Sequence, residues 1–124
     1  MKILKSFLYA MNGIALSGRE RNMRVHLGIS IGVLLLGILF QISPLEWIIV
    51  FFCFGLVLCA EAFNTAIETI INLIRDDCKI PYENKSLGMA KDMAAGAVLI
   101  TAVSCAFVGL IVFFPYFLEL FLSL

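Results

Sequence analysis

Glu61, Asn64, Glu68 and Asn72 follow one another at three-, four- and four-residue steps, directly after an uncharged run at residues 47–60. At roughly 100° per residue, Asn64, Glu68 and Asn72 lie about −60°, −20° and +20° from Glu61 on a helix. The four form one polar stripe, while Phe63, Ile67, Ile70 and Ile71 fall mostly elsewhere. Uncompensated charge in hydrocarbon costs several kcal/mol, so ionisable residues in a membrane segment are candidate functional groups. Asn64, Thr65 and Asn72 alone would serve equally well as a hydrogen-bonding seam between helices. Two glutamates seven residues apart point to chemistry instead.

Depth refines this. If the helix enters the bilayer at Trp47, a residue type common at interfaces, Glu61 lies roughly 21 Å further along and Glu68 about 31 Å. A hydrocarbon core is about 30 Å thick. Glu61 then sits just inside the membrane and Glu68 at the water line, where a lipidic reactant can meet an aqueous one. The polar groups expected at that face are Glu20, Arg24, Glu61, Asn64, Glu68, Asn72, Lys91 and Asp92. Carboxylates and amide oxygens are hard ligands suited to Mg²⁺, which bridges phosphate oxygens. A nearby lysine supplies positive charge to a transferring phosphoryl group, and a partly buried carboxylate can act as general base toward a hydroxyl. These are the parts of a phosphotransferase acting on a membrane alcohol. Neither GxxxxGK[ST] nor GxGxxG occurs, which excludes a conventional nucleotide-binding domain.

The elements that must position these groups are membrane helices. The chain has 124 residues, of which 62% are hydrophobic, with a mean hydropathy of +1.04; that composition belongs to an integral membrane protein of one domain. Net charge is zero, from nine basic and nine acidic residues, so total charge says nothing about nucleic acid. Lys2, Lys5, Arg19, Arg21 and Arg24 precede the first apolar run, and Arg75, Lys79, Lys85 and Lys91 lie between the second and third. By the positive-inside rule the N-terminus and the 75–92 segment face the cytoplasm. Cys53, Cys59, Cys78 and Cys105 show no ligand spacing, and no signal peptide is evident at the N-terminus.

In order, residues 1–25 read as an interfacial amphipathic helix ending in a charged cluster, with His26 as an interfacial cap. Residues 26–42 form the first span, where Gly28 and Gly32 have the spacing of close helix packing. Ser43-Pro44 is a turn with Pro44 able to open the next helix. Residues 46–74 form a second span projecting into the cytoplasm, 75–90 a cytoplasmic loop, and 91–115 a third span. Ser86 is a candidate cap for that last helix, and Pro115 marks its outer end. The expected class is all-α and integral to the membrane, with one surface helix and three transmembrane helices.

The string Glu61-Ala-Phe-Asn-Thr-Ala-Ile-Glu68 and the segment Ala90-Lys-Asp-Met-Ala-Ala-Gly-Ala-Val98 resemble the two signature segments of the small bacterial lipid kinases, diacylglycerol kinase and its undecaprenol kinase relatives. Glu20-Arg-Asn-Met-Arg24-Val-His26 is similar to a third, in the form typical of the undecaprenol-kinase-like branch. The resemblance runs from about Phe7 to Val112. It implies a homotrimer with composite active sites in the bacterial cytoplasmic membrane, phosphorylating a lipid alcohol (undecaprenol or diacylglycerol) with ATP and Mg²⁺. By motif position Glu61 would be the general base. Glu20 and Glu68 would hold the Mg²⁺ that accompanies ATP, with Asn64 beside them. Lys91 would contact the ATP phosphates and Asp92 another part of the nucleotide. Arg24 and Asn72 would give polar support.

Two departures stand out. Asn72 occupies a position where the family usually has aspartate, and the segment from Asn72 to Lys91 is longer than usual. Two other classes compete with a kinase. A small oligomeric transporter could use Glu61 as a proton-coupled site, but it needs its carboxylate near mid-membrane, not a ring of acids and a lysine at one face. A non-enzymatic assembly subunit would need only scattered polar residues.

Overall fold

A computed structural model describes residues 2–124, and these fold into four helices joined by short connections: α1 (Lys2–Ser17), α2 (Arg21–Phe40), α3 (Pro44–Cys78) and α4 (Lys85–Leu122). Among the described residues there is no strand. α2, α3 and α4 are each long and apolar enough to cross a bilayer, and most of their large apolar side chains face outward. Leu35, Phe52, Ile100 and Ile111 are all more than half exposed, as lipid-facing residues must be. Helices suit this solvent because they satisfy every backbone donor and acceptor within the segment. α1 has no buried residue and touches α3.

The connections are set by local chemistry. Ser43 caps α3: its hydroxyl accepts from the Glu46 N–H at 3.3 Å, while the Glu46 carboxylate accepts from the Ser43 N–H at 2.7 Å. This is a reciprocal capping box, followed by Pro44, whose missing N–H costs nothing in a first turn. At the other end Lys79 takes a left-handed conformation (φ 51°) and its N–H returns to the Arg75 carbonyl, as does that of Ile80 at 3.1 Å. Asn84, not Ser86, caps α4, accepting from the Leu87 N–H at 3.1 Å. The segment expected as a loop over 75–90 is therefore mostly helix, with only residues 79–84 outside. Nothing between Asn72 and Cys78 breaks a helix, so α3 continues for 35 residues, about 52 Å, well past the membrane. α4 likewise passes through Pro115 to Leu122, because a proline removes only its own bond to the preceding turn.

α3 and α4 form the main interface. Three contacts fix their antiparallel register: Tyr116 Oη to Glu46 Oε2 at 2.7 Å, Cys105 Sγ to the Cys53 carbonyl at 3.6 Å, and Lys91 Nζ to Glu68 Oε1 at 3.8 Å. α2 joins them chiefly at the outer end, where Ile42, Val50, Val112 and Phe113 are buried together. Phe40 packs against Phe113, Tyr116 and Phe117 there, at centroid distances of 5.0–6.4 Å. The close approach of α2 to α3 depends on Gly37 and not on the Gly28/Gly32 pair. A Cβ on Gly37 would lie 2.7 Å from Trp47 Cη2, whereas one on Gly28 or Gly32 would meet nothing within 4 Å. Trp47, expected as an interfacial anchor, instead lies half-buried against this glycine and stacks on Phe51 at 5.6 Å.

Gly37→Val is expected to destabilise the protein by about 1–3 kcal/mol, the usual cost of overpacking, in equilibrium unfolding in mixed micelles. Trp47→Ala in the same chain should recover part of the loss, and a strictly additive double variant would show that the two side chains do not compete for this space.

Candidate active site

The C-terminal half of α3 carries the polar stripe, and its members have different surroundings. Glu61 is 1% exposed and Asn64 6%; Glu61 is the largest fully buried side chain among the described residues. Neither Glu61 Oε2 nor Asn64 Oδ1 has a hydrogen-bond partner. Buried polar atoms are normally satisfied, and leaving one bare costs on the order of 1–3 kcal/mol, more for a charge. Two bare oxygens one turn apart on one helix face are an acceptor site waiting for donors. The helix's own hydroxyls do not fill it: Thr69 Oγ1 donates back to the Thr65 carbonyl at 2.8 Å.

One turn further toward the cytoplasm, Glu68 meets Lys91 of α4. The register explains why. Helix α4 starts at the Asn84 cap, so its second turn places Lys91 against the second carboxylate of the stripe. Ala94, one turn on, is buried, and its small side chain lets α4 close over α3 at the level of Asn64. The result is a graded site: a buried carboxylate and amide, then a half-exposed carboxylate paired with a lysine.

The remaining sequence candidates are not drawn into this cluster. Asn72, Asp92, Arg24 and Glu20 are all exposed. Glu20 occupies the N-cap position of α2 in an extended conformation (φ −70°, ψ 140°), but its side chain makes no capping bond. Among the described residues no group of three or more Asp, Glu, His or Cys side chains converges as a cation cage. His26, expected as an interfacial cap, lies within α2 and lines a cavity of about 700 Å³ between α2, α3 and α4, with Val33, Phe54, Ala102, Gly109 and Phe117.

Two residues with structural or electrostatic weight escaped the sequence reading. Tyr116 closes the outer end on Glu46, and nothing in the spacing reveals a pairing across 70 positions. Arg75, considered only for topology, is 8% exposed. It continues the stripe, at about −40° from Glu61 on the helical wheel, and that periodicity was open to inspection.

Comparison with known proteins fits this arrangement. The family model described as prokaryotic diacylglycerol kinase matches residues 8–113. An undecaprenol kinase from Bacillus subtilis is 38% identical over 115 residues, covering 92% of this chain and 89% of that protein. A diacylglycerol kinase from Synechocystis is 29% identical over 119 residues, covering 95% of this chain and 66% of that protein. No solved structure matches the chain.

The Lys91–Glu68 pair is wet, with side chains 31% and 38% exposed, and such pairs contribute no more than about 1 kcal/mol. A double-mutant cycle of Lys91→Met and Glu68→Gln, read by unfolding in mixed micelles, is expected to give a coupling within that limit. A coupling well above it would mark the pair as a structural lock and remove the reason to assign it to chemistry.

Proposed function

The chain belongs to the prokaryotic diacylglycerol kinase family, and from that premise we propose that it transfers the γ-phosphoryl group of ATP to the hydroxyl of a membrane lipid alcohol at the cytoplasmic interface. It is a lipid kinase and a multi-pass membrane protein by family and by its three spanning helices. The finer assignment rests above all on Glu61, a buried carboxylate with one oxygen unpartnered.

In this mechanism the lipid lies in the bilayer with its hydroxyl at the level of Glu61. Asn64 orients it through the amide, and Glu61 Oε2 accepts the hydroxyl proton as the oxygen attacks the γ-phosphorus. The new bond joins the lipid oxygen to phosphorus; the bond from the γ-phosphorus to the β,γ-bridging oxygen breaks, and ADP leaves. Lys91, held beside Glu68, balances charge on the phosphate oxygens. Catalysis is then mainly positioning of two reactants from different phases, with Asp92 available to another part of the nucleotide.

The carboxylates of Glu68 and Glu20, with Asn64 beside them, are hard oxygen donors of the kind that would hold Mg²⁺. A divalent ion held there would supply charge neutralisation to the phosphates of the nucleotide. Among the described residues no three such side chains converge on one chain, and we assign Glu20 to a neighbouring copy, in a homotrimer whose sites are composite. Asn72 faces solvent, so its replacement of the family aspartate should alter metal or nucleotide affinity more than the chemical step. For the acceptor, undecaprenol is favoured over diacylglycerol: the Glu20–His26 segment and the similarity to the Bacillus undecaprenol kinase both lean that way.

The experiment is phosphate transfer from labelled ATP in mixed micelles, with undecaprenol and diacylglycerol offered in parallel. Wild type is expected to phosphorylate undecaprenol preferentially. Glu61→Gln should reduce turnover about 10²-fold or more, as loss of a general base does, with the fold intact; turnover that survives removes Glu61 as the base. Glu68→Gln and Glu20→Gln should each raise the Mg²⁺ concentration needed for half-maximal rate, and unchanged titrations in both would withdraw the metal assignment.

A further inference from the structure

Among the described residues, one cation is buried with no counter-ion within 4.0 Å. Arg75 is 8% exposed, yet the one ion pair within 4.0 Å among the described residues is Lys91–Glu68. Asp76, Asp77 and Glu83 are close in sequence, but all three side chains are exposed and none reaches Arg75. Arg75 Nε is buried without an acceptor. Arginine is almost never buried unpaired, because a guanidinium removed from water needs a carboxylate, a phosphate or several carbonyls around it.

The local structure is built around this side chain. α3 ends on the Arg75 carbonyl, which accepts from both Lys79 and Ile80. The turn after it brings the Tyr82 ring to 4.6 Å from the guanidinium carbon, although Tyr82 itself is 81% exposed. Stacking on an aromatic face holds the guanidinium plane while leaving its N–H edges free to donate. Those edges suit bidentate contact with a phosphate. Arg75 also shares the helix face of Glu61, Asn64 and Glu68, about 10 Å beyond Glu68 along the axis. A helical side chain of this length leans toward the preceding turns, and so toward the Glu68–Lys91 pair.

We propose that Arg75, held by Tyr82, is a second phosphate-binding group of the nucleotide site, taking the α- and β-phosphates of the triphosphate whose γ-phosphate lies at Lys91. The inference rests on the kinase assignment for the identity of the nucleotide, but the anion site itself can be measured without turnover.

Binding of ATP, inorganic tripolyphosphate and adenosine to the full-length protein in zwitterionic micelles, by titration calorimetry, tests it. Arg75→Gln is expected to weaken ATP and tripolyphosphate by roughly ten- to hundredfold, the loss of a charged hydrogen bond, and to leave adenosine unaffected. Arg75→Lys should recover part of the affinity, and Tyr82→Ala should weaken both phosphate probes less than Arg75→Gln does. In turnover the KM for ATP should rise with little change in kcat or in the KM for lipid. Wild-type affinity in Arg75→Gln overturns the proposal, as does a wild type that binds neither phosphate probe. Equal losses in Arg75→Gln and Arg75→Lys, with a lowered melting temperature of the unliganded protein, overturn it too, by making Arg75 a scaffold of the turn. Arg75-dependent binding without phosphate transfer would instead strike the kinase mechanism and leave the site standing.

Discussion

The antiparallel seating of α3 on α4 carries the architecture. It is anchored at three levels by three unlike contacts: a phenol on a carboxylate at one end, a thiol on a carbonyl in the middle, and an ammonium on a carboxylate at the other end. In a bilayer the apolar surface gains little by leaving lipid, since acyl chains are as apolar as leucine. Register must then come from polar contacts and close packing. Slide α4 by one turn and Lys91 leaves Glu68, and Tyr116 leaves Glu46. A site graded from buried carboxylate to half-exposed ion pair exists only in this register.

The two ends of the bundle are built differently. Outside, a capping box, an aromatic cluster around Phe40 and the Gly37–Trp47 contact draw three helices tightly together. An apolar cavity between the three helices runs from His26 to Phe113 and Phe117, and no member of the polar stripe lines it. The small residues of α4, Ala102 and Gly109 among them, widen this space where larger side chains would have filled it.

Sequence periodicity carried the broad plan and stopped at specific points. The spans were legible because a continuous apolar run in a chain this hydrophobic admits few structures but a membrane helix. The stripe was legible because charge is rare in such a helix, and Glu61 and Asn64 are indeed its buried members. Helix ends were less so: Asn84 and Ser86 are both acceptable caps, and only the path of the chain at Pro81 selects the first. Gly28 and Gly32 have the familiar spacing, yet packing is decided by what stands opposite, and Trp47 stands opposite Gly37. Tyr116 on Glu46 was invisible for the same reason, because a contact across 70 positions follows from register and not from local pattern.

One chain leaves Glu61 Oε2, Asn64 Oδ1 and Arg75 Nε without partners, and all three lie on one face of α3. Their signs differ along that face: two bare acceptors toward the middle of α3, one bare donor near its C-terminus, and the Glu68–Lys91 pair between. A structural seam between helices would pair such groups directly, acceptor to donor, as Tyr116 and Glu46 do at the opposite end. On the kinase reading proposed above, a lipid hydroxyl would donate to the two acceptors and a phosphate would accept from the donor. The desolvation cost of these groups in the free chain would then become differential binding once both reactants are present.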